Sequence, residues 1–249
     1  MITTKKYANS IPYFECVSHQ GQSTQVYLLL HGFEQSKAMD FGQLPKRLTD
    51  LGYVVIIPDL DFHGERKKEP FLTGSFDQKV WMMFSLFQSA PIELNDWMER
   101  EYGHFPDWTV GGFSMGAILA LKLASMNPRF RSVHAMNGTP KLENLLSKSH
   151  RDWVMKHWTK EQLQVYHTFF EEPYIPPYLP HYASIHYLIQ LGQEDEYVNL
   201  DDNLAFIQTL QEHHHPHIRF HLYPSTKHEI TQAMEEDAIH YFSTRKRTL

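Results

Sequence analysis

One stretch, residues 108–124, limits what this chain can fold into more than any other. It begins as a short β-rich run, passes through Gly111-Gly-Phe-Ser-Met-Gly116 and ends in a run of good helix formers. A G-x-S-x-G pattern between a strand and a helix is typical of a serine on a tight, strained turn, where larger neighbours would clash. The helix that follows would direct its N-terminal partial positive charge at the Ser114 hydroxyl. Because the pattern alone is common, the rest of the chain must supply a base, an acid and an oxyanion site.

Length and composition indicate one globular domain that spans residues 1–249. The chain is 42% hydrophobic, which is ample material for the core of a single α/β domain. Its formal net charge is −6 with the charges interspersed. There is no basic patch for nucleic acid and no polybasic amphipathic run for a membrane surface. We therefore expect a small molecule as its partner, and the sequence leaves open whether the protein is a monomer or a homodimer.

Cysteine usage and the start of the chain indicate a compartment. Cys16 is the single cysteine, which rules out an internal disulfide framework and fits a reducing environment. Residues 1–10 have no apolar segment of signal-peptide length, and no run reaches the length of a membrane-spanning helix. These features predict a soluble, cytoplasmic protein.

Strands and helices alternate along nearly the whole chain, which predicts a mostly parallel, doubly wound sheet with helices on both faces. Apolar runs such as Gln25–Leu30 and Tyr53–Ile57 are bounded by polar residues, as expected of strands buried on both faces. We expect Ile11–Val17 to be the opening strand, at the sheet edge. Phe76–Tyr102 is predicted to be mostly helical, and Pro91 either kinks one helix there or starts a second.

Residues 139–184 form an insertion between two predicted strands. A plain crossover needs far fewer residues, so we expect a lid that covers the site and supplies an apolar pocket. The segment holds a helix candidate, Arg151–Glu171. Its aromatic residues could line the pocket or simply form the buried face of a helix, and the sequence does not show which side chains point inward. The candidates are Trp153, Trp158, Phe169, Phe170 and Tyr174.

Two further polar residues follow predicted strands, where doubly wound sheets form their active sites. Asp195 lies in an acidic loop after the strand that ends at Leu191, and His228 follows the last strand. The chain order Ser114, Asp195, His228 is that of a nucleophile–acid–base triad on this architecture. Glu194 remains an alternative acid, although the spacing favours Asp195.

Together these motifs resemble the α/β-hydrolase superfamily of serine esterases, from about Val26 to the final helix. The resemblance rests on four features: His31-Gly-Phe33, Gly112-Phe-Ser-Met-Gly116, Gly192-x-x-Asp195-x-x-Val198, and His228 after the last strand. The segment His63-Gly-Glu-Arg66 is similar to a subgroup of bacterial esterases related to dienelactone hydrolases.

The resemblance implies a role for each of these residues. Ser114 would be the nucleophile, His228 its general base and acid, and Asp195 the group that orients His228. The backbone N–H groups of Phe33 and Met115 would form the oxyanion hole. The reaction would need no cofactor.

Four other residues could also belong to the site. His31 is expected to shape the oxyanion loop and adjoin the substrate rather than act as an acid or base. We expect His63 to face the pocket. The pair Glu65 and Arg66 could contact substrate or form a local ion pair.

The sequence therefore predicts a cofactor-free hydrolase of carboxylic esters that forms an acyl-enzyme. A thioesterase, a lipase or a peptidase on the same triad is an alternative, since the fold hosts all of these. A non-catalytic scaffold that binds a ligand or partner is less favoured, because no triad member or oxyanion glycine is lost. No metal site is expected at His213–His217, because this tract precedes the last strand, at the opposite end of the sheet from the active site.

Overall fold

The computed structural model describes residues 1–19, 23–68, 75–142, 148–171, 174–176, 179–213 and 217–245. It contains one eight-stranded sheet in the order β1-β2-β4-β3-β5-β6-β7-β8. The strands are β1 (Ile2–Ala8), β2 (Ile11–Val17), β3 (Gln25–Leu30), β4 (Tyr53–Pro58), β5 (Trp108–Phe113), β6 (Phe130–Met136), β7 (His186–Gly192) and β8 (Ile218–Tyr223).

Neighbouring strands from β4 to β8 along the sheet pair in parallel, whereas β2 pairs antiparallel with both β1 and β4. The helices are α1 (Leu44–Asp50), α2 (Phe76–Tyr102), α3 (Met115–Met126), α4 (Lys148–His157), α5 (Lys160–Glu171), α6 (Leu200–Glu212) and α7 (Gln232–Arg245). The mostly parallel, doubly wound α/β architecture that the sequence predicted is thereby confirmed.

Two apolar layers cover the two faces of this sheet. On one face, side chains of α2, α3 and α6 pack against inward-facing residues of the strands. On the other face, α1 and α7 cover a smaller cluster that includes Tyr27 and Phe242. Strands β3 and β4 are buried along nearly their whole length, which explains their uninterrupted apolar sequence. Among the described residues, no helix is both long enough and apolar enough to cross a membrane.

The expectation that Ile11–Val17 lies at the sheet edge was wrong. Ile2–Ala8 forms the edge strand and joins β2 through a hairpin turn at Asn9, whose φ is 54°. Most side chains of Ile2–Ala8 are exposed, so the strand lacks the apolar pattern that marks a buried strand. Charged residues on an edge strand also discourage pairing with other chains, which is a physical reason for an edge strand to be polar.

Helix α2 continues through Pro91 as one helix of 27 residues. Proline has no N–H group, so it cannot donate to the carbonyl of Phe87 one turn earlier. The Tyr174 hydroxyl donates to that carbonyl instead, at 2.8 Å. The proline therefore leaves an acceptor on α2 that binds the chain segment following α5.

The predicted helix Arg151–Glu171 is in fact two helices, α4 and α5. Thr159 precedes α5 and forms a reciprocal capping box with Gln162. The Gln162 N–H donates to Thr159 Oγ1 at 3.3 Å, and the Thr159 N–H donates to Gln162 Oε1 at 2.9 Å. This local pairing starts a new helix where the apolar pattern alone predicted a continuous one.

A chain of buried polar groups lies on the face covered by α1 and α7. The Gln190 amide nitrogen donates to the Met234 carbonyl at 3.0 Å and to the Tyr223 hydroxyl at 2.6 Å. Its oxygen therefore faces His134 Nε2, 2.6 Å away, and Nε2 carries the ring proton. His134 Nδ1 then accepts from the Tyr27 hydroxyl at 2.7 Å. Burial lowers the pKa of His134 to about 4, so the ring is neutral at pH 7.

The variant His134→Gln should make folding less sensitive to acid. An unfolded histidine titrates near pH 6.5, so at lower pH protonation favours the unfolded state while buried His134 resists it. Between pH 7.5 and pH 5 this difference removes about 2 kcal/mol from the free energy of unfolding. Glutamine offers the same acceptor and donor without titrating. Urea denaturation at both pH values should show a loss about 2 kcal/mol smaller in the variant.

A matched control is His104→Gln, because it replaces an exposed histidine instead of a buried one. This variant should lose as much stability between the two pH values as the wild type. An equal acid-induced loss in His134→Gln and wild type would contradict the account of this buried ring.

Candidate active site

The turn between β5 and α3 holds Ser114 in a backbone conformation that few residues with side chains adopt. Its φ is 54° and its ψ is −117°. The neighbouring backbone is packed too closely for side chains. A Cβ on Gly112 would lie 2.4 Å from the Gly116 carbonyl carbon, and one on Gly116 would lie 2.2 Å from the Leu30 oxygen. Glycine at both positions lets β5, α3 and β3 meet, and this close packing aims the serine side chain outward.

His228 lies within hydrogen-bond distance of this serine. Its Nε2 is 2.8 Å from Ser114 Oγ, although the two residues are 114 positions apart in the chain. The Phe113 ring lies 4.9 Å from the imidazole and the Tyr197 ring lies 5.0 Å from it. These two rings limit the directions in which the imidazole can tilt away from Ser114.

Asp195 binds the other side of the imidazole. Its Oδ2 is 2.6 Å from His228 Nδ1, and its carboxylate is only 2% exposed. The second oxygen, Oδ1, accepts the backbone N–H groups of Tyr197 at 2.8 Å and Val198 at 3.1 Å. With its oxygens shared in this way, the carboxylate has a fixed orientation and accepts the Nδ1 proton, so that Nε2 is the acceptor for the serine hydroxyl. Glu194, the alternative acid, is exposed.

The loop after β3 lies directly beside the serine. A Cβ on Gly32 would lie 3.1 Å from the Phe113 ring and 3.6 Å from the Ser114 Cβ. Phe33 follows in this loop, while Met115 is the first residue of α3. The first N–H groups of a helix have no acceptor within the helix. The structure thus brings the backbone of Phe33 and Met115 to the same side of the sheet edge as Ser114.

His31 forms hydrogen bonds that stabilise this loop, and it is fully buried. Its Nδ1 donates to the Gly32 carbonyl at 2.8 Å, and its Nε2 accepts the Leu60 N–H at 3.1 Å. Burial lowers its pKa to about 4, so the ring is neutral and its tautomer is fixed by these two bonds. Because both ring nitrogens bind backbone groups, His31 holds the loop after β3 in shape. Its predicted place beside the substrate stays a prediction.

His63 packs against the same loop and is also fully buried. Its ring lies 5.6 Å from the Phe33 ring and 5.1 Å from the His31 ring, and its Nδ1 is 2.8 Å from the Asp61 carbonyl oxygen. Burial lowers its pKa. His63 is therefore in position to hold Phe33, and its predicted contact with substrate stays a prediction.

Asp59 links the loop after β3 to the segment around His63. It is completely buried and accepts the Lys37 backbone N–H at 2.7 Å, the Lys37 ammonium at 2.6 Å and the Glu65 N–H at 2.9 Å. Gly64 has a φ of 54°, and a Cβ there would lie 2.1 Å from the Asp59 carboxylate. A buried charge needs this degree of pairing. The bonds join the turn at Gly64 and the loop around Lys37 into one rigid unit.

The pair Glu65 and Arg66 is engaged in ion pairs. Glu65 accepts from Lys37, and also from Lys5 at 2.9 Å, and these bonds lower its pKa to about 2. Arg66 binds Glu93 of α2 through two parallel hydrogen bonds of 2.9 Å each. Both residues therefore form ion pairs with partners distant in the sequence, and not the local pair that was one expectation for them. Their contact with substrate stays a prediction.

The candidate lid residues pack against α2. Trp158 is 7% exposed and stacks on Trp81 at 5.3 Å, within an apolar cluster that also contains Phe84. Trp153 is partly buried and stacks on His157 at 4.5 Å. Contact of either tryptophan with substrate stays a prediction. The side chains of Phe169 and Phe170 lie outside the described residues.

Within the described parts of the chain, no group of three or more His, Cys, Asp or Glu side chains could hold a metal ion. Residues 214–216 of the histidine tract lie outside those parts. His217 stacks on His186 at 4.0 Å.

Sequence reasoning missed the residues that support the site. Tyr197 packs on His228, and Asp59 with Lys37 stabilises the loop after β3. Asp59 follows a buried strand, so the rule that singled out Asp195 could have found it. Tyr197 has no comparable signal, because its position beside His228 depends on how two distant loops meet.

Comparison with known proteins agrees with this architecture. The sequence model described as "alpha/beta hydrolase fold" matches residues 26–186. No curated protein shows significant sequence similarity to the chain. Among solved structures, TT1662 of Thermus thermophilus is similar with a TM-score of 0.74 at 18% identity, over 98% of both chains.

Two structures of esterases are similar at lower TM-scores. A cold-adapted esterase from an Arctic intertidal metagenomic library has a TM-score of 0.59 at 18% identity, over 98% of this chain and 92% of that one. Acetyl xylan esterase 1 of Thermoanaerobacterium sp. has a TM-score of 0.62 at 16% identity, over 94% of this chain and 78% of that one. At such identities the likeness establishes the fold alone. The match to the family model covers more than half of the sequence, and the chain belongs to the α/β hydrolase fold family.

Proposed function

We propose that the chain is a serine hydrolase that cleaves small carboxylic esters through an acyl-enzyme on Ser114. The observation that carries this proposal is the unbroken series of hydrogen bonds from Ser114 Oγ to His228 Nε2 and from His228 Nδ1 to Asp195. A serine hydroxyl is a weak nucleophile and needs a base within hydrogen-bond reach. The strained turn fixes the serine, and the buried carboxylate of Asp195 fixes the imidazole of His228.

In the first half of the reaction, Ser114 Oγ attacks the ester carbonyl carbon while its proton passes to His228 Nε2. Collapse of the tetrahedral intermediate breaks the bond to the alcohol, which leaves with the proton from Nε2. In the second half, water attacks the acyl carbon and gives a proton to Nε2. Collapse of this second intermediate breaks the bond to Ser114 Oγ, which takes the proton back from Nε2 as the carboxylic acid leaves. Asp195 stabilises the imidazolium in both halves without itself taking the proton.

The oxyanion of each intermediate would lie between the N–H groups of Met115 and Phe33. Loss of one such donor typically costs a factor of about 10²–10³ in rate. The support beneath Phe33 has a catalytic purpose in this proposal. His31 and the pair of Asp59 and Lys37 hold the loop before substrate arrives, so no reorganisation is needed during the reaction.

Esters are the substrate class favoured by similarity to structures named as esterases, including one for acetyl xylan. We further propose that residues 139–184 act as a lid over the site. The described part of this segment packs on α2 through Trp158 and Tyr166, and it is pinned at its end by Tyr174 and His181. Such a segment can open without disrupting the sheet that carries Ser114.

A fluorophosphonate probe should add its mass to the peptide that contains Ser114. Wild-type protein should hydrolyse short p-nitrophenyl esters, and Ser114→Ala should lower kcat by a factor on the order of 10⁵–10⁶. Intact-mass and peptide mass spectrometry detect the adduct, and release of p-nitrophenol measures turnover. Wild-type protein inert to both the probe and the esters would refute the proposed function.

Matched variants separate catalysis from general damage. Ser125→Ala removes a buried serine at the far end of the same helix and should leave turnover unchanged. Asp195→Asn should lower kcat by about 10³–10⁴, because the amide favours the wrong imidazole tautomer. Glu194→Gln changes the adjacent, exposed carboxylate and should leave kcat at the wild-type value. Equal effects of the two carboxylate variants would contradict the assignment of Asp195.

The variant Trp158→Ala should loosen the lid from α2 without unfolding the sheet. Trp158 stacks on Trp81 and is buried, so its removal leaves a cavity in their shared cluster. We expect limited proteolysis within residues 139–184 to speed up by at least about 10-fold, because local opening becomes easier. Ser114 should still react with the probe.

The control for the lid is Met155→Ala, which truncates a side chain on α4 that is 49% exposed. It should leave the rate of cleavage unchanged. If Trp158→Ala leaves the cleavage rate unchanged, or if cleavage spreads equally over the whole chain, residues 139–184 do not move as a separate lid.

A further inference from the structure

The end of strand β6 adjoins all three loops of the proposed triad. The Ser114 N–H donates to the Met136 carbonyl at 2.9 Å, which fixes the elbow to the last residue of β6. Asn137 follows immediately, is fully buried and has a φ of 47°. Its own N–H donates to the Gln190 carbonyl on β7 at 2.8 Å. The backbone at residues 136–137 thus links the serine turn to the strand that leads into the acid loop.

The Asn137 side chain extends this link to the other two loops. Its Oδ1 accepts the Gly192 N–H at 2.8 Å, three residues before Asp195. Its Nδ2 donates to the Glu229 carbonyl at 2.9 Å and lies 3.5 Å from the Lys227 carbonyl oxygen. These carbonyls flank His228. Because an N–H can only donate and a carbonyl can only accept, the orientation of the amide is unambiguous.

The two loops bridged by Asn137 also pack directly on each other. A Cβ on Gly192 would lie 2.4 Å from the carbonyl oxygens of both Thr226 and Lys227. The Glu194 N–H donates to the Thr226 carbonyl at 2.9 Å. The two loops therefore touch backbone to backbone, and the Asn137 amide forms hydrogen bonds to both of them. A shift of either loop would break a bond to that amide.

We infer that Asn137 is a positioning residue that fixes His228 and Asp195 relative to Ser114. The inference rests on the proposed function and adds to it a residue that touches neither the substrate nor the reacting atoms. Asparagine suits the position for two reasons. It adopts positive φ more readily than most residues, and its amide supplies the acceptor and the donor that the two loops require.

Two substitutions separate these contributions. Asn137→Asp keeps the shape and the acceptor for Gly192, but it places a carboxylate oxygen against the carbonyls of Lys227 and Glu229. In Asn137→Gly, the glycine adopts the positive φ without strain, and both the donor and the acceptor of the side chain are lost. The matched control is Asn127→Gly. Asn127 is also buried and makes three side-chain hydrogen bonds, to Asn95, Glu99 and the Arg129 N–H, none of which involves the triad loops.

Both Asn137 variants should lower kcat for p-nitrophenyl acetate by about 10- to 100-fold, since small displacements of a catalytic group have costs of this size. KM should stay within about twofold of the wild type, because Asn137 does not contact substrate. Asn127→Gly should lose stability without losing kcat. If both Asn137 variants kept wild-type kcat in folded, active protein, the inference would be wrong.

A second readout does not depend on activity. The proton on His228 Nδ1, shared with Asp195, should give a low-field ¹H NMR resonance that His228→Gln removes. We expect this resonance in wild type and in Asn127→Gly, and a shift or broadening of it in both Asn137 variants.

The two readouts also distinguish the inference from the proposed function. An unchanged resonance in both Asn137 variants would overturn the inference. If the wild-type protein is inert to both the probe and the esters while the Asn137 variants shift or broaden the resonance, the hydrolase proposal is refuted and the positioning role is supported.

Discussion

The site depends on how closely three backbone segments approach one another at the carboxyl edge of the sheet. Strand β5 enters the turn at Gly112, helix α3 leaves it at Gly116, and the Leu30 carbonyl of β3 lies where either glycine would carry a Cβ. No side chain fits between these segments. The strain of Ser114 is therefore maintained by the whole sheet, and not by the turn itself.

A second constraint is that buried ionisable groups must be either neutral or paired with an opposite charge. His31, His63 and His134 are fully buried, and burial lowers the pKa of each. The buried carboxylate of Asp59 is balanced by Lys37. The neutral imidazoles of His31 and His63 pack against the loop after β3, whereas that of His134 lies on the sheet face covered by α1 and α7. Support of this kind would preorganise the proposed oxyanion site, and the buried imidazoles reduce stability in acid.

Much of the fold and part of the candidate site could be predicted from the sequence, for a simple physical reason. Ser114, Asp195 and His228 each follow a strand of the parallel sheet, and the carboxyl ends of such strands converge. Spacing favoured Asp195 over Glu194 without excluding Glu194, because loop conformation decides which carboxylate reaches the histidine. Edge strand β1 was missed because its side chains are mostly exposed.

Other features lay beyond sequence reasoning because they exist only after folding. Asn137 is an ordinary residue at the end of a predicted strand until two distant loops bring a donor and two acceptors to its amide. The break between α4 and α5 is a different case. The spacing of Thr159 and Gln162 is that of a capping box, and the prediction of one helix did not take it into account.

A crystal structure of the protein after reaction with a fluorophosphonate tests the central claim most directly. The account predicts a bond from phosphorus to Ser114 Oγ, with one phosphoryl oxygen about 2.7–3.1 Å from the backbone nitrogens of Met115 and Phe33. His228 should remain hydrogen-bonded to Asp195. An adduct on another residue, or a phosphoryl oxygen turned to solvent away from both nitrogens, would contradict it.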